Sequence, residues 1–297
     1  MKSITIQVFG GLAGQLSGLA YAIFIHDYFG ARVKLVFYSG GTSERPLVVK
    51  PLLETPTIAS RAITYGTLSS KDQRISLSKN FSVPTLEFLM SGLWPVSQRS
   101  LQISLEDLYE LRGQKHRIVG YLSDFRIVEN VVGDIHAAID QAELPNFLKS
   151  RPGDQSVAVH WRLGDYVGND FHGVISATAL LSGLDEVCPD WRSRTVKIFT
   201  DSPTLAKKGL AKSSSSFQFP SGSIWEHLEE MTRSSYFLGS HSGISQWAAI
   251  GMLRHPVGRQ ILLPRSWFSP NSGGIEALAS PKLHALMKWD ITFSSEI

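Results

Sequence analysis

The chain has 297 residues, which at about 100–200 residues per domain indicates two domains. Hydrophobic residues make up 43% and charged residues 19%, so the chain can bury a core and is not disordered. The net charge of +3 is too small to mark a nucleic-acid binder but suits phosphate-bearing small molecules or an anionic membrane surface.

One cysteine, Cys188, excludes a disulfide framework and a cysteine zinc site and favours a reducing compartment. No run of about 18 uncharged apolar residues is present to span a bilayer. Lys2 precedes an apolar run, but Gln7, Gln15 and a glycine cluster interrupt it, unlike a secretory signal. A cytoplasmic protein, at most peripheral at the inner membrane, is expected.

Residues 3–9 alternate and end β-rich, which predicts a strand. Gly10, Gly11 and Gly14 turn the chain into an apolar helix over 16–29, closed by Gly30. A second strand over 32–38 completes a βαβ unit with parallel pairing. Residues 40–115 are broken by Pro46, Pro51, Pro56, Pro84 and Pro95, with helices expected near 85–90 and 104–112. A strand over 117–121 and a helix over 127–142 follow. Pro145, Pro152 and Gly153 mark a boundary within 144–155, giving domains 1–150 and 151–297. The second half predicts strands at 156–160, 195–200, 216–219, 236–239 and 260–263. Helices are predicted at 203–211, 224–234 and 243–253. This alternation describes a second doubly wound α/β layer.

In open α/β sheets ligands sit at the carboxyl ends of strands. After the first strand comes Gly10-Gly11-Leu12-Ala13-Gly14-Gln15, where backbone N–H groups can approach an anion or simply make a tight turn. No acidic residue lies between Asp27 and Glu44, and the spacing is not Gly-x-Gly-x-x-Gly, so a nicotinamide cofactor is disfavoured.

The strand at 156–160 runs into His160-Trp161-Arg162-Leu163-Gly164-Asp165-Tyr166, the densest chemical cluster in the chain. Alternation would set His160 and Arg162 on one side. Arg162 offers a charged planar fork for phosphate oxygens. His160 is a candidate proton shuttle, and Asp165 could orient either residue or accept a hydroxyl. A plain Arg162–Asp165 surface pair is the structural alternative. Asp201 and Ser202 follow the next strand, where Ser202 suits a helix cap and Asp201 a base or ribose contact. Ser240, Ser242, Gly243 and Gln246 lie at a predicted helix start, as phosphate ligands or ordinary caps. Trp247 could stack on a ligand or fill the core.

Paired metal ligands of the type His-Glu-x-x-His or Asp-x-Asp are missing from the sequence, as are a Gly-x-Ser-x-Gly elbow and a Walker loop. Arginine and helix N-termini would have to neutralise any phosphate.

The segment from His160 to Val167 resembles the His-x-Arg-Arg-Gly-Asp-Tyr-Val motif of the α-1,2-fucosyltransferases, glycosyltransferase family 11. Gly10 to Leu16 resembles its Gly-Gly-Leu-Gly-Asn-Gln-Leu opening. Ile198 to Pro203 and Ser240 to Ala249 resemble two further family segments in the same order, and Gly120–Ser123 and Leu263–Phe268 also look like family segments. The resemblance implies a GT-B fold, two Rossmann-like domains around a cleft, with no metal or other cofactor. It implies a nucleotide-sugar donor, GDP-fucose, inversion at the anomeric carbon, and a glycan acceptor of surface polysaccharide synthesis that can be lipid-linked. By resemblance Arg162 contacts the diphosphate, Asp201, Ser242 and Gly243 line the nucleotide site, and Gly10 and Gly11 shape the cleft opposite. Leu163 replaces the motif's second arginine and Gly14 the opening asparagine, which loosens the sugar identity. A non-catalytic nucleotide- or glycan-binding relative of the same fold is the alternative.

Overall fold

The computed structural model describes residues 3–38, 46–68, 103–109, 116–118, 122–149, 151, 153–169, 172–213, 216–266, 281–291 and 293–294. The chain divides into two compact units, Met1–Leu144 and Pro145–Ile297. Each is built on a parallel sheet of the Rossmann kind.

In the first unit, β1 (Ser3–Val8) leads through the glycine turn into α1 (Leu12–Phe29) and β2 (Arg32–Tyr38). The helix begins four residues earlier than the apolar pattern predicts. Gly10 and Gly11 complete the turn by themselves, and Gln15 N–H already donates to Gly11 carbonyl at 3.1 Å. Gly30 closes it in the left-handed region, its N–H on His26 carbonyl. Two short helices, α2 (Lys50–Leu53) and α3 (Pro56–Ala59), lead into β3 (Ile63–Leu68). Then come α4 (Leu105–Tyr109), β4 (His116–Ile118) and α5 (Phe125–Gln141). The sheet order is β3-β2-β1-β4, all parallel. Ile4, Ile6 and Val8 fill the buried side of β1. On α5 the buried residues Phe125, Val128, Val131, Ile135, Ala138 and Ile139 form a stripe at helical spacing that packs against α1. Asp124 caps this helix by accepting Arg126 N–H at 3.0 Å.

The second unit runs β5 (Asp154–His160), β6 (Val174–Ile175), α6 (Ala177–Val187), β7 (Val196–Phe199), α7 (Pro203–Leu210) and β8 (Phe217–Gln218). It continues with α8 (Ile224–Arg233), β9 (Ser234–Gly239), α9 (Gly243–Leu253), β10 (Gln260–Leu262), α10 (Pro281–His284) and β11 (Phe293–Ser294). The main sheet order is β10-β9-β5-β7-β8, all parallel. Strand order therefore reverses between β5 and β9, the switch point at which such sheets bind ligands. The core is aliphatic and tryptophan-rich, with Trp161, Leu163, Leu180, Trp191 and Leu238 among its buried members.

Strand β3, helix α6 and the antiparallel β6–β11 pair lie beyond the predicted elements. β3 is an edge strand whose Tyr65 faces out, so it carries no clear apolar alternation. The expected helix near 85–90 lies outside the described residues, as do parts of the segments 104–112, 117–121, 120–123 and 263–268.

Candidate functional site

The carboxyl ends of β5, β7 and β9 bring together the residues of three separate sequence segments. Pairing continues just past the strands. Trp161 N–H donates to Phe199 carbonyl and Ser240 N–H to His160 carbonyl, both at 2.9 Å. Alternation past His160 buries Trp161 and Leu163 in the core, and Trp161 donates its indole N–H to Ile175 carbonyl at 2.9 Å. Leu163 stands where the family motif has its second arginine, so that charge would fall in the hydrophobic core.

Arg162 is left pointing from the strand end. Its Nη1 lies 3.1 Å from Asp201 Oδ2 and its Nη2 2.5 Å from Asp165 Oδ1. The guanidinium also sits 5.4 Å from the centre of the Tyr166 ring. Burial works against its charge, but Asp201 and Asp165 outweigh that and hold its pKa above the ordinary arginine value. The two carboxylates are not equivalent. Asp201 Oδ1 also accepts Leu163 N–H at 3.0 Å, so Asp201 is tied to the backbone. Asp165 is 56% exposed. Gly164 is fixed by the same contact, since a Cβ there would stand 2.1 Å from Asp201 Oδ2. Asp201 thus orients Arg162, with both oxygens engaged.

Ser240 links this cluster to the next. Its hydroxyl accepts Arg162 N–H at 3.2 Å and lies 3.3 Å from His160 Nδ1. Ser242 is the extended N-cap of α9, yet its side chain makes no capping bond, and no acidic residue lies in the first turn. The N–H groups of that turn, Gly243 among them, keep the partial positive charge of a helix N-terminus near the arginine-bearing strand end. The expected Ser202 cap does not form either. Ser202 makes no side-chain cap bond and donates its N–H to Thr200 Oγ1 at 3.2 Å.

The alternating burial of Val157, Val159, Trp161 and Leu163 leaves His160 on the same side as Arg162, but not as an exposed shuttle. The strand ends at this residue, and its ring is buried with Nδ1 2.7 Å from Ser245 Oγ. Burial, reinforced by Arg162, pushes its pKa down to about 3. Burial likewise takes His172 to about 4 and His241 to about 3. His172 stacks on Tyr166 at 4.2 Å, and His241 lies 5.0 Å from the same ring. His241 also meets Phe293 edge-on at 4.6 Å and sets Nε2 3.2 Å from Gly173 carbonyl. These rings stay neutral in the fold while the unfolded chain protonates near pH 6.5. The sign follows: stability is unaffected above that pH and is lost as pH falls from about 6.5 towards 4. The loss is expected to reach up to about 1.4 kcal/mol per pH unit for each ring. Urea unfolding at neutral pH and at mildly acid pH measures it, and a pH-independent midpoint would contradict the burial of the three rings.

Gln246, expected as a ligand contact, is 1% exposed, and neither atom of its amide has a partner. Trp247 is a core residue, edge-on to Phe147 at 6.1 Å. Tyr166, His172, His241, Gly164 and Ser245 complete the cluster. Gly164, Tyr166, His241 and Ser245 lie inside the two segments 160–167 and 240–249, whereas His172 reaches Tyr166 only through the fold.

In the first unit, Gln15 is a clamp and not an open contact. Its Nε2 donates to Gly10 and Pro46 carbonyls at 3.3 and 2.9 Å, and its Oε1 accepts Val48 and Val49 N–H at 2.9 and 3.3 Å. That use exhausts the ordinary bonding capacity of the amide. Gly14 is a packing residue, for a Cβ there would stand 2.2 Å from Phe9 carbonyl oxygen. Gly10, at φ +89°, and Gly11, the N-cap of α1, have open space where a Cβ would be. These two alone of the four leave an approachable backbone.

Among the described residues no group of three or more His, Cys, Asp or Glu side chains could hold a metal ion. No described helix is long and apolar enough to cross a membrane. No protein-family profile matches the chain, and no curated protein does. Solved structures with similarity include Escherichia coli heptosyltransferase WaaC with ADP, at 12% identity and TM-score 0.44 over 97% of this chain and 96% of that one. A family 9 glycosyl transferase from Veillonella parvula is 10% identical with TM-score 0.43, over 94% and 86%. POFUT1 in complex with GDP is 12% identical with TM-score 0.36, over 84% and 94%. Likenesses of this degree leave the chemistry of the site to be argued from its own residues.

Proposed function

We propose that the chain is an inverting, metal-independent glycosyltransferase of GT-B type. It moves L-fucose or a related 6-deoxyhexose from GDP-fucose to a glycan hydroxyl, in α-1,2 linkage to galactose during surface polysaccharide synthesis. The second unit takes the donor and the first the acceptor. The observation that carries this reading is the Arg162 guanidinium at the switch-point end of β5, braced by backbone-anchored Asp201 and neighboured by the uncapped start of α9.

Cleavage of a sugar–phosphate bond builds charge on the departing diphosphate and an oxocarbenium character on the ring. A fixed guanidinium beside the phosphates stabilises that state more than the ground state. The acceptor hydroxyl attacks from the opposite face, which gives inversion. On binding, the diphosphate takes over the Nη2 edge that exposed Asp165 holds, while Asp201 keeps Nη1 aligned. His160 positions the strand end through Ser240 and Ser245, and its neutral buried ring is unsuited to proton transfer near neutral pH. Asp165, once displaced, is the carboxylate that receives the acceptor proton.

The exchange has a measurable consequence. Asp165→Asn removes a competitor for the guanidinium, and an exposed ion pair is worth about 0.2–1 kcal/mol. GDP affinity is therefore expected to rise by roughly up to fivefold by calorimetry, while turnover falls. Weaker GDP binding would show that Asp165 helps hold the nucleotide.

The test of the whole reading is a donor screen across nucleotide sugars, with product linkage assigned by NMR. GDP-fucose is expected to be consumed with inversion, with or without a chelator. GDP binding without consumption of any donor would favour the non-catalytic relative.

A further inference from the structure

All strands of a parallel sheet start at one edge, and in the second unit that edge gathers cations. β5, β9 and β10 begin at Asp154, Ser234 and Gln260. Arg151, Arg233 and Arg259 stand just before them. Gly153 N–H donates to Arg233 carbonyl at 2.8 Å, which lays the Arg151 segment alongside. Arg259 donates through Nη1 to Thr232 carbonyl. Arg254 caps the carboxyl end of α9, with His255 next. Gly251, three residues before Arg254, lies against Thr232, where a Cβ would stand 3.0 Å from Thr232 Cγ2, so the segments carrying Arg151, Arg233, Arg254 and Arg259 all meet around residues 232–233.

Between Arg254 and Arg259 the chain makes a tight turn. Pro256 carbonyl accepts Arg259 N–H at 3.2 Å. Gly258, at φ +73°, takes the position of such a turn that requires a left-handed residue. Val257 is thereby held at the apex, 87% exposed, the most exposed large hydrophobic residue among those described.

Helix-end charge explains Arg254, and anchoring to Thr232 explains Arg259. Neither explains an apolar apex set between Arg254 and Arg259. That combination matches a bilayer surface, where anionic headgroups meet cations and an apolar tip reaches the acyl boundary. A free phosphate or a nucleic acid would use the arginines and leave the valine without a role.

We propose that the turn Pro256–Arg259, with Arg151, Arg233 and Arg254 around it, is a docking surface for an anionic lipid bilayer. β5 has seven residues, and at about 3.3 Å per residue its two ends lie about 20 Å apart. Docking at the amino edge leaves the Arg162 end of the sheet open to water-borne donor. The inference stands independently of the glycosyltransferase reading, because it rests on different residues and is read by binding alone.

The experiment is co-sedimentation of the full chain with vesicles of phosphatidylcholine or of an equal mixture of phosphatidylcholine and phosphatidylglycerol. Binding is expected to the mixed vesicles, to weaken with salt, and to survive excess soluble glycerol phosphate. Each arginine near such a surface is worth about fivefold, so Arg151→Glu with Arg254→Glu should lower binding by on the order of 25-fold or more. Val257→Asp, at an exposed turn with no packing to lose, should lower binding while leaving the melting temperature unchanged. Equal sedimentation with both vesicle types, or full retention of binding by both variants, would overturn the proposal. Complete competition by glycerol phosphate, with Val257→Asp binding normally, would also overturn it and reveal a small-anion site.

Discussion

Arg162→Ala is expected to lower donor turnover by about 10²–10³ while the protein still folds, the usual effect of removing one preorganised charge contact. The loss should fall on kcat more than on KM, since the guanidinium acts most strongly on charge that develops late. The variant leaves Asp165 and Asp201 facing the site without their cation, which adds repulsion to the lost attraction. Arg162→Lys should recover only part of the activity. A lysine keeps the charge but cannot span Asp201 and the incoming phosphate with a planar fork. Steady-state kinetics on GDP-fucose distinguish these outcomes, and turnover within a few-fold of wild type in Arg162→Ala would remove the residue from the mechanism.

The second large effect is on stability. Gly14→Asn introduces the residue that the resembled Gly-Gly-Leu-Gly-Asn-Gln-Leu segment carries, and it is expected to damage the protein instead of improving it. A Cβ at position 14 would meet Phe9 carbonyl oxygen at 2.2 Å, and one at Gly18 would meet Val8 Cγ2 at 2.5 Å. These glycines stand four apart on one face of α1, the face laid against the end of β1. The obstacle at position 14 is backbone, so the helix itself must move. Overpacking of this kind costs about 1–3 kcal/mol, a fall of several degrees in melting temperature for a unit of this size. Thermal unfolding checks it. An unchanged melting temperature with tighter donor binding would mean that the turn relaxes freely and that the asparagine role is recoverable.

Much of this was legible in the sequence because it is local. The strand over 32–38 and the helix over 243–253 follow from periodicity and their flanking glycines, and the structure places both at those bounds. The cluster from His160 to Tyr166 stands out by composition, and its place at a strand end follows from the alternation before it. What stayed hidden depends on tertiary partners. Nothing in the order of residues says that Asp201 braces Arg162 from the next strand. Nothing says that Gln15 spends its amide on residues 46–49, or that His160 turns inward to Ser245. Alternation held through Leu163 but could not say that His160 would be covered by Ser240 and Ser245, and Ser242 and Ser202 sit at cap positions without forming caps. β3 escaped notice because an edge strand with an exposed tyrosine lacks the pattern that burial imposes.

Calorimetric titration of GDP and of guanosine into wild type and Arg162→Ala tests the central assignment most directly, because the pair of ligands isolates the diphosphate and the pair of proteins isolates the guanidinium. GDP should bind wild type far more tightly than guanosine, and most of that advantage should vanish in the variant. An advantage for GDP that persists undiminished without Arg162 would place the pyrophosphate elsewhere and contradict the account.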